Sequence, residues 1–273
     1  MDSSLQLNTQ QFLPQLGILV TPVDNGGDFG LPMAIQEGFR LIDISDPKLD
    51  YTRVGEAIQR CIDGESIERE SLYIIVSFHN QAYAKVGISD RINAILRDLQ
   101  LDYVDLCLID KPVSWDRTID KPDMIRTPKR FPNDTRLDKI INQMHDEMLF
   151  ETVAAVGLNN FNKQMIMQVH SYYPHLKISV VKSDITPYFQ DKETRQYCRQ
   201  KDIQVIGYNG GTLRRFKNTE PPLILENPVI NDIAKRCGKR EMQVVFRWLM
   251  DNGMAILSKT GPSTGILQRV QHC

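Results

Sequence analysis

No apolar run in this chain exceeds about six residues, against the roughly 20 needed to cross a bilayer, so no membrane partner is expected. An excess of either charge is also missing. The 33 basic and 34 acidic side chains nearly cancel, which leaves no overall field to hold phosphate backbones or anionic lipid, and nucleic acid is excluded as an expected partner. Cysteine is sparse. Cys61, Cys107, Cys198, Cys237 and Cys273 are widely spaced, odd in number and free of CxxC pairing, which argues against a disulfide framework and against a zinc or other metal site. The opening residues MDSSLQLNTQQFLPQ lack both a basic start and an apolar stretch, so they do not read as a signal peptide, and a cytoplasmic location is expected. Low-complexity segments, repeats and linkers are not evident either.

What is there is an ordinary globular composition, 41% hydrophobic and 25% charged over 273 residues. Such a chain can bury a core without metals or disulfides. The length matches the roughly 250 residues of one (β/α)8 barrel, and a single domain spanning 1–273 is expected. Eight short apolar, β-rich runs alternate with segments of helical period: Leu16 to Val20, Arg40 to Ser45, Leu72 to Phe78, Tyr103 to Ile109, Val153 to Leu158, Ile178 to Ile185, Gln204 to Tyr208 and Ala255 to Lys259. That alternation is the pattern of βα units on a parallel sheet. The expected fold class is therefore α/β, a (β/α)8 TIM barrel. Amphipathic stretches at Arg53 to Ile62, Ile88 to Leu99, Leu137 to Leu149, Lys163 to His170, Glu193 to Gln200, Pro228 to Cys237 and Glu241 to Asp251 supply the helices, with Gly64, Gly238 and Gly253 placed as C-terminal caps. Two irregularities stand out. Pro112 to Asp134 is a long proline-bearing connection, of the kind that covers a site. Only Pro262 to Cys273 follows the last run, so the final helix and tail are expected to be truncated.

Active sites of such barrels lie at the C-terminal ends of the strands. Polar residues that end apolar runs are thus the first candidates: Asp43, Ser77, Asp110, Asn159 and Asn160, Lys182 and Asp184, Tyr208 and Lys259. Carboxylates and lysines at one partly dry mouth can shift each other's proton affinity and act as acid and base. Lys182 and Asp184 share strand parity, so a buried ion pair between them is expected.

The strings GFRLIDIS, RVGEAIQ, LYIIVSF, LDYVDLCLIDKPV, AVGLNNFN, ITPYFQ, CRQKDIQVIGYN and VVFRWLMDNGMAILSKT together resemble the successive blocks of aldo-keto reductases, in that family's order, from about Leu16 to Arg269. The resemblance implies hydride transfer from NADPH to a carbonyl by an Asp, Tyr, Lys and His quartet, in which tyrosine donates the proton and lysine, assisted by aspartate, tunes it. Carried over residue by residue, Asp43 holds the aspartate position. Lys48 stands at the tyrosine, Ser77 at the lysine and Asp110 at the histidine. Tyr51 lies three residues beyond the expected tyrosine. Asn160, Tyr208, Lys259 and Thr260 match positions that hold the nicotinamide and the 2′-phosphate, while Lys182 replaces a glutamine that receives the carboxamide, Asn159 a serine and Gly265 an arginine. His79 stands where a tryptophan lines the pocket.

These departures carry a physical consequence. Hydride addition to a carbonyl develops an alkoxide, which an anionic Asp110 would repel. Lys48, with Asp43 and Asp110 as expected ion-pair partners, suits proton shuffling better than hydride chemistry. The preferred expectation is a non-redox enzyme of isomerase, cyclase, dehydratase or lyase type, with no cofactor required, acting on a small organic, natural-product-like molecule. In it Asp110 and Lys48 transfer protons, Asp43 orients Lys48, Ser77 completes the cluster and His79 assists; Trp115 and Tyr51 contact the substrate. The alternatives are a divergent NADPH-dependent carbonyl oxidoreductase, with Asn160, Lys182, Tyr208, Lys259 and Thr260 around NADP, and a non-catalytic binding or regulatory subunit.

Overall fold

A computed structural model of the chain describes residues 3–22, 30–65, 67–78, 87–110, 135–208 and 224–259. Two short strands open it, β1 (Ser4–Gln6) and β2 (Phe12–Pro14), paired antiparallel with Leu5 opposite Leu13. Eight parallel strands follow and close on themselves: β3 (Leu16–Leu19), β4 (Leu41–Asp43), β5 (Tyr73–Phe78), β6 (Leu106–Asp110), β7 (Val156–Asn159), β8 (Ile178–Asp184), β9 (Gln204–Tyr208) and β10 (Ala255–Lys259), with β10 bonded to β3. Helices α1 (Gly30–Gln36), α2 (Tyr51–Glu65), α3 (Ile88–Leu99), α4 (Thr135–Leu149), α5 (Lys163–Tyr172), α6 (Lys192–Gln200), α7 (Pro228–Cys237) and α8 (Glu241–Asp251) intervene. All eight expected barrel strands are present, and α3, α7 and α8 have the expected bounds. The (β/α)8 barrel is the fold.

Strand alternation sorts the apolar residues into two layers. One face of each strand fills the barrel interior with Leu41, Ile75, Leu108, Val180, Ile206 and Leu257. The other face, with Ile42, Ile74, Val76, Cys107 and Val181, packs beneath helix residues such as Ile58, Ile92 and Ile166. Burial on both faces is why these strands read as nearly continuous apolar runs.

The helices start and stop where local chemistry directs. Asn162 caps α5 by accepting the Met165 N–H, and Asn227 caps α7 by accepting that of Val229 before Pro228 locks the first turn. Gly238, at φ +62°, closes α7 in the left-handed region. Gly64 was the wrong stop for α2: the helix runs through it to Glu65. Gly55, by contrast, is fixed by space. A Cβ there would lie 2.6 Å from the Leu99 carbonyl oxygen, so α2 and α3 touch through it.

The floor of the barrel is a feature the sequence did not announce. Leu7 and Leu13, 2% and 0% exposed, drop from the β1–β2 hairpin into the interior core. Asn8 pins the hairpin to β8, donating to the Ile178 carbonyl and accepting from Ser179 Oγ. Helix α1 was likewise not foreseen. The expected cover at Pro112 to Asp134 and the truncated end at Pro262 to Cys273 fall outside the described residues. No helix among the described residues is long and apolar enough to cross a membrane.

Candidate active site

With interior positions alternating, the last inward residue of each strand defines a ring at the C-terminal mouth. Asp43 on β4 is fully buried. Its Oδ1 accepts the Ser45 backbone N–H at 2.9 Å, and its Oδ2 accepts from Lys182 Nζ. Strands β4 and β8 stand four places apart in a ring of eight, so the lysine stem crosses the barrel to reach its partner. Both members of this ion pair are buried, with side chains 5% and 0% exposed. The ammonium also lies 5.2 Å from the centroid of the Tyr208 ring, within cation–π range.

Tyr208, in register with Asp184, donates its hydroxyl to Asn160 Oδ1 at 2.9 Å. Asn160 sits at φ +61°, in the left-handed region that asparagine tolerates better than most residues. Burial raises the Tyr208 phenol above its ordinary value; the bond to Asn160 opposes this, and Asp184, Asp110 and Asp43 reinforce it. Asp110 is in register with Asn159 and accepts from its Nδ2. Ser77 Oγ lies 3.3 Å from the Leu108 carbonyl and 3.4 Å from Asp110 Oδ1. Among the described residues, the buried Asn159 Oδ1 and Asp184 Oδ1 have no hydrogen-bond partner. Burial alone raises the Asp184 carboxyl above its usual range. Tyr51, at the start of α2, donates to the Ile44 carbonyl at 3.3 Å, and burial pushes its phenol up to about 12.

Asp43, Ser77, Asp110, Asn160, Lys182 and Tyr208 are thus brought to one mouth, as their strand positions led one to expect. Two pairings differ. Lys48 joins neither Asp43 nor Asp110: it is exposed. Asp46 Oδ1 accepts the Lys48 backbone N–H and Asp50 Oδ1 accepts that of Thr52, a turn and cap that launch α2 and leave Lys48 on the solvent side. Lys182 does not pair with Asp184, two residues along its own strand. It turns inward to Asp43, the more deeply buried carboxylate, where an unmatched charge would cost most. Lys182 Nζ thus lies with Asp43. His79, Trp115 and Thr260 lie outside the described residues, as does the side chain of Lys259, whose backbone ends β10. Asn159 stood among the strand-end candidates without an assigned role. Its signal was there, an inward-facing amide at a strand end, but its vacant acceptor shows only once Asp110 is seen to take the amide nitrogen.

Known proteins bear on this arrangement. A sequence profile described as "Aldo/keto reductase family" matches residues 30–268. Aldo-keto reductase family 1 member A1 of Mus musculus is 27% identical over 98% of this chain and 84% of its own length. The Xenopus tropicalis protein of the same name is 29% identical over 87% of this chain and 73% of its own. In fold, the aldose reductase of Schistosoma japonicum superposes with a TM-score of 0.79 at 20% identity, covering 98% of this chain and 86% of that one. These relatives are named as reductases, and nothing among them supports non-redox chemistry. They correct the expectation that no cofactor is required, because a reductase consumes a hydride donor and the resemblance implies NADPH. With the profile covering most of its length, the chain belongs to the aldo/keto reductase family.

Proposed function

We propose that this protein is an NADPH-dependent oxidoreductase that reduces a polarised double bond in a small organic substrate at the barrel mouth. One observation carries the assignment: the buried Asp43–Lys182 ion pair, set against the Tyr208 ring at the strand ends. The resemblance places a lysine beside the aspartate at a position that Ser77 now fills. The ammonium comes instead from β8, on the opposite wall, and meets the same carboxylate.

The residues present fit the cofactor on two counts. Asn159 Oδ1 is a buried acceptor without a donor among the described residues, which suits a carboxamide N–H. Tyr208, tied to Asn160 at the end of β9, offers an aromatic platform for a flat ring. NADPH, when bound, supplies the hydride. Lys182 polarises the substrate heteroatom and holds charge that develops there, and Asp43 orients Lys182. The phenols of Tyr51 and Tyr208, both raised by burial, stay protonated at neutral pH and serve as walls and hydrogen-bond anchors.

The test is a fluorescence titration with NADPH on wild-type protein and on Lys182→Met, paired with single-turnover NADPH oxidation. Both proteins should bind NADPH, and the variant should lose hydride transfer by about 100-fold or more. Failure of the wild type to bind millimolar NADPH would remove the assignment.

A further inference from the structure

We propose that Asp110 is a positioning residue for the cofactor: by holding the amide nitrogen of Asn159 it commits the Asn159 oxygen to the carboxamide of NADPH, so that the mouth selects for the N–H of that group. This rests on the reductase assignment and deepens it. An asparagine amide can face its surroundings in two ways, nitrogen or oxygen first, and the group beside it decides which. A carboxylate carries only lone pairs, so it receives the NH2 end and repels the oxygen end. Asp110 Oδ1 accepts from Asn159 Nδ2, which fixes the amide with its nitrogen towards β6. The other end, Asn159 Oδ1, is buried and has no hydrogen-bond partner among the described residues. Had a lysine stood in place of Asp110, the oxygen would have been drawn to it and the N–H presented instead.

The backbone keeps the two residues side by side. Asp110 and Asn159 end β6 and β7 in register. Strand β7 is pressed from both sides at Gly157, where a Cβ would lie 2.7 Å from Leu108 Cδ2 on β6 and 2.7 Å from the Val180 carbonyl oxygen on β8. Just past Asn159, the Asn160 N–H donates to the Lys182 carbonyl at 2.9 Å, and the chain turns through the left-handed region at φ +61°. Asn159 is thus held at the backbone on either side, and the sense of its amide is the variable left for a neighbour to set. Ser77 stands behind the carboxylate, with its Oγ 3.4 Å from Asp110 Oδ1, so that β5, β6 and β7 together hold one orientation.

Asn159 is 7% exposed, which leaves water little access to Oδ1, and an acceptor buried in this way calls for a ligand that brings a proton. The carboxamide of NADPH brings one on its NH2 group. Its carbonyl oxygen, another acceptor, does not serve. Asp110 therefore acts on the cofactor through Asn159, a different task from the proton transfer expected of it.

The probes are NADPH and its reduced 3-acetylpyridine analogue, in which a methyl group replaces the carboxamide NH2 and nearly the same shape carries no N–H. Dissociation constants are measured by calorimetry for wild type, Asn159→Ala and Asp110→Ala. The wild type should bind NADPH about ten-fold or more tightly than the analogue. Asn159→Ala should erase that margin, and Asp110→Ala most of it, because the released amide is free to turn. Equal binding of the two cofactors by the wild type overturns the inference while leaving the reductase assignment standing. So does an Asp110→Ala protein that binds both more weakly yet keeps the margin, which is the mark of a merely structural role. A second measurement needs no variant at position 110: the Asn159 side-chain amide, identified in NMR spectra by its loss in Asn159→Ala, should keep a proton protected from solvent exchange when NADPH saturates the wild type. Release of that proton on binding overturns the inference. Failure of the wild type to bind either cofactor refutes the assignment on which it rests.

Discussion

Asp43 and Lys182 stabilise the barrel only as a pair. Removing one leaves the other as an uncompensated buried charge, which costs about 3–5 kcal/mol, whereas replacing both by apolar residues of similar volume is often nearly neutral. Lys182→Met should therefore lower the urea midpoint sharply, and Asp43→Leu combined with Lys182→Met should restore most of it. Asp184 behaves in the opposite sense. Its folded carboxyl is raised above the ordinary 3.8 by burial, so below that value both folded and unfolded chains hold the proton and no penalty exists. As pH rises from 3.8 towards the raised value, the unfolded chain releases its proton while the folded one still holds it, and stability falls until the folded carboxyl ionises too. Asp184→Asn should consequently raise the thermal midpoint at pH 7, and the gain should vanish near pH 3. The sequence placed both carboxylates and the lysine at strand ends by parity alone. It did not reveal which met which, because that depends on the width of the barrel and on relative burial, neither of which is a local property. Lys48 was misplaced for a related reason: spacing fixed its position in the chain, but the Asp46 turn and the Asp50 cap fixed where it pointed.

Among the elements, the barrel strands and most helices were legible because two periods, 2 and 3.6, separate cleanly when every strand is buried on both faces. The β1–β2 hairpin was not. Its three-residue strands are too short for a periodic signal, and few of its residues, Leu7 and Leu13 with Leu5 beside them, pack into the core. Removing residues 1–14 should open the barrel floor and cost several kcal/mol, on the order of two buried leucines, read as a lowered denaturation midpoint with the mouth chemistry intact. The α2–α3 contact is stricter still. Any side chain at Gly55 meets the Leu99 carbonyl, and Gly55→Val should destabilise by about 1–3 kcal/mol through overpacking, with Gly64→Ala, where nothing lies within 4 Å, as the neutral control.

At the scale of the whole molecule, the closed ring of eight strands makes the first and last strands neighbours, β3 bonded to β10. The Asp43–Lys182 contact adds a link of a different kind. It joins positions 139 residues apart across the lumen, one in the first half of the chain and one in the second. Each half of the barrel, taken alone, would carry half of an ion pair at its centre. A fragment that ends after β6 would hold the Asp43 carboxylate without Lys182, and a fragment that begins at β7 the Lys182 ammonium without Asp43. Neither should form a stable half-barrel, yet mixed together they have a reason to find each other. The cross-lumen lysine thus acts as an assembly check, by which the fold is electrostatically complete only when the circle is.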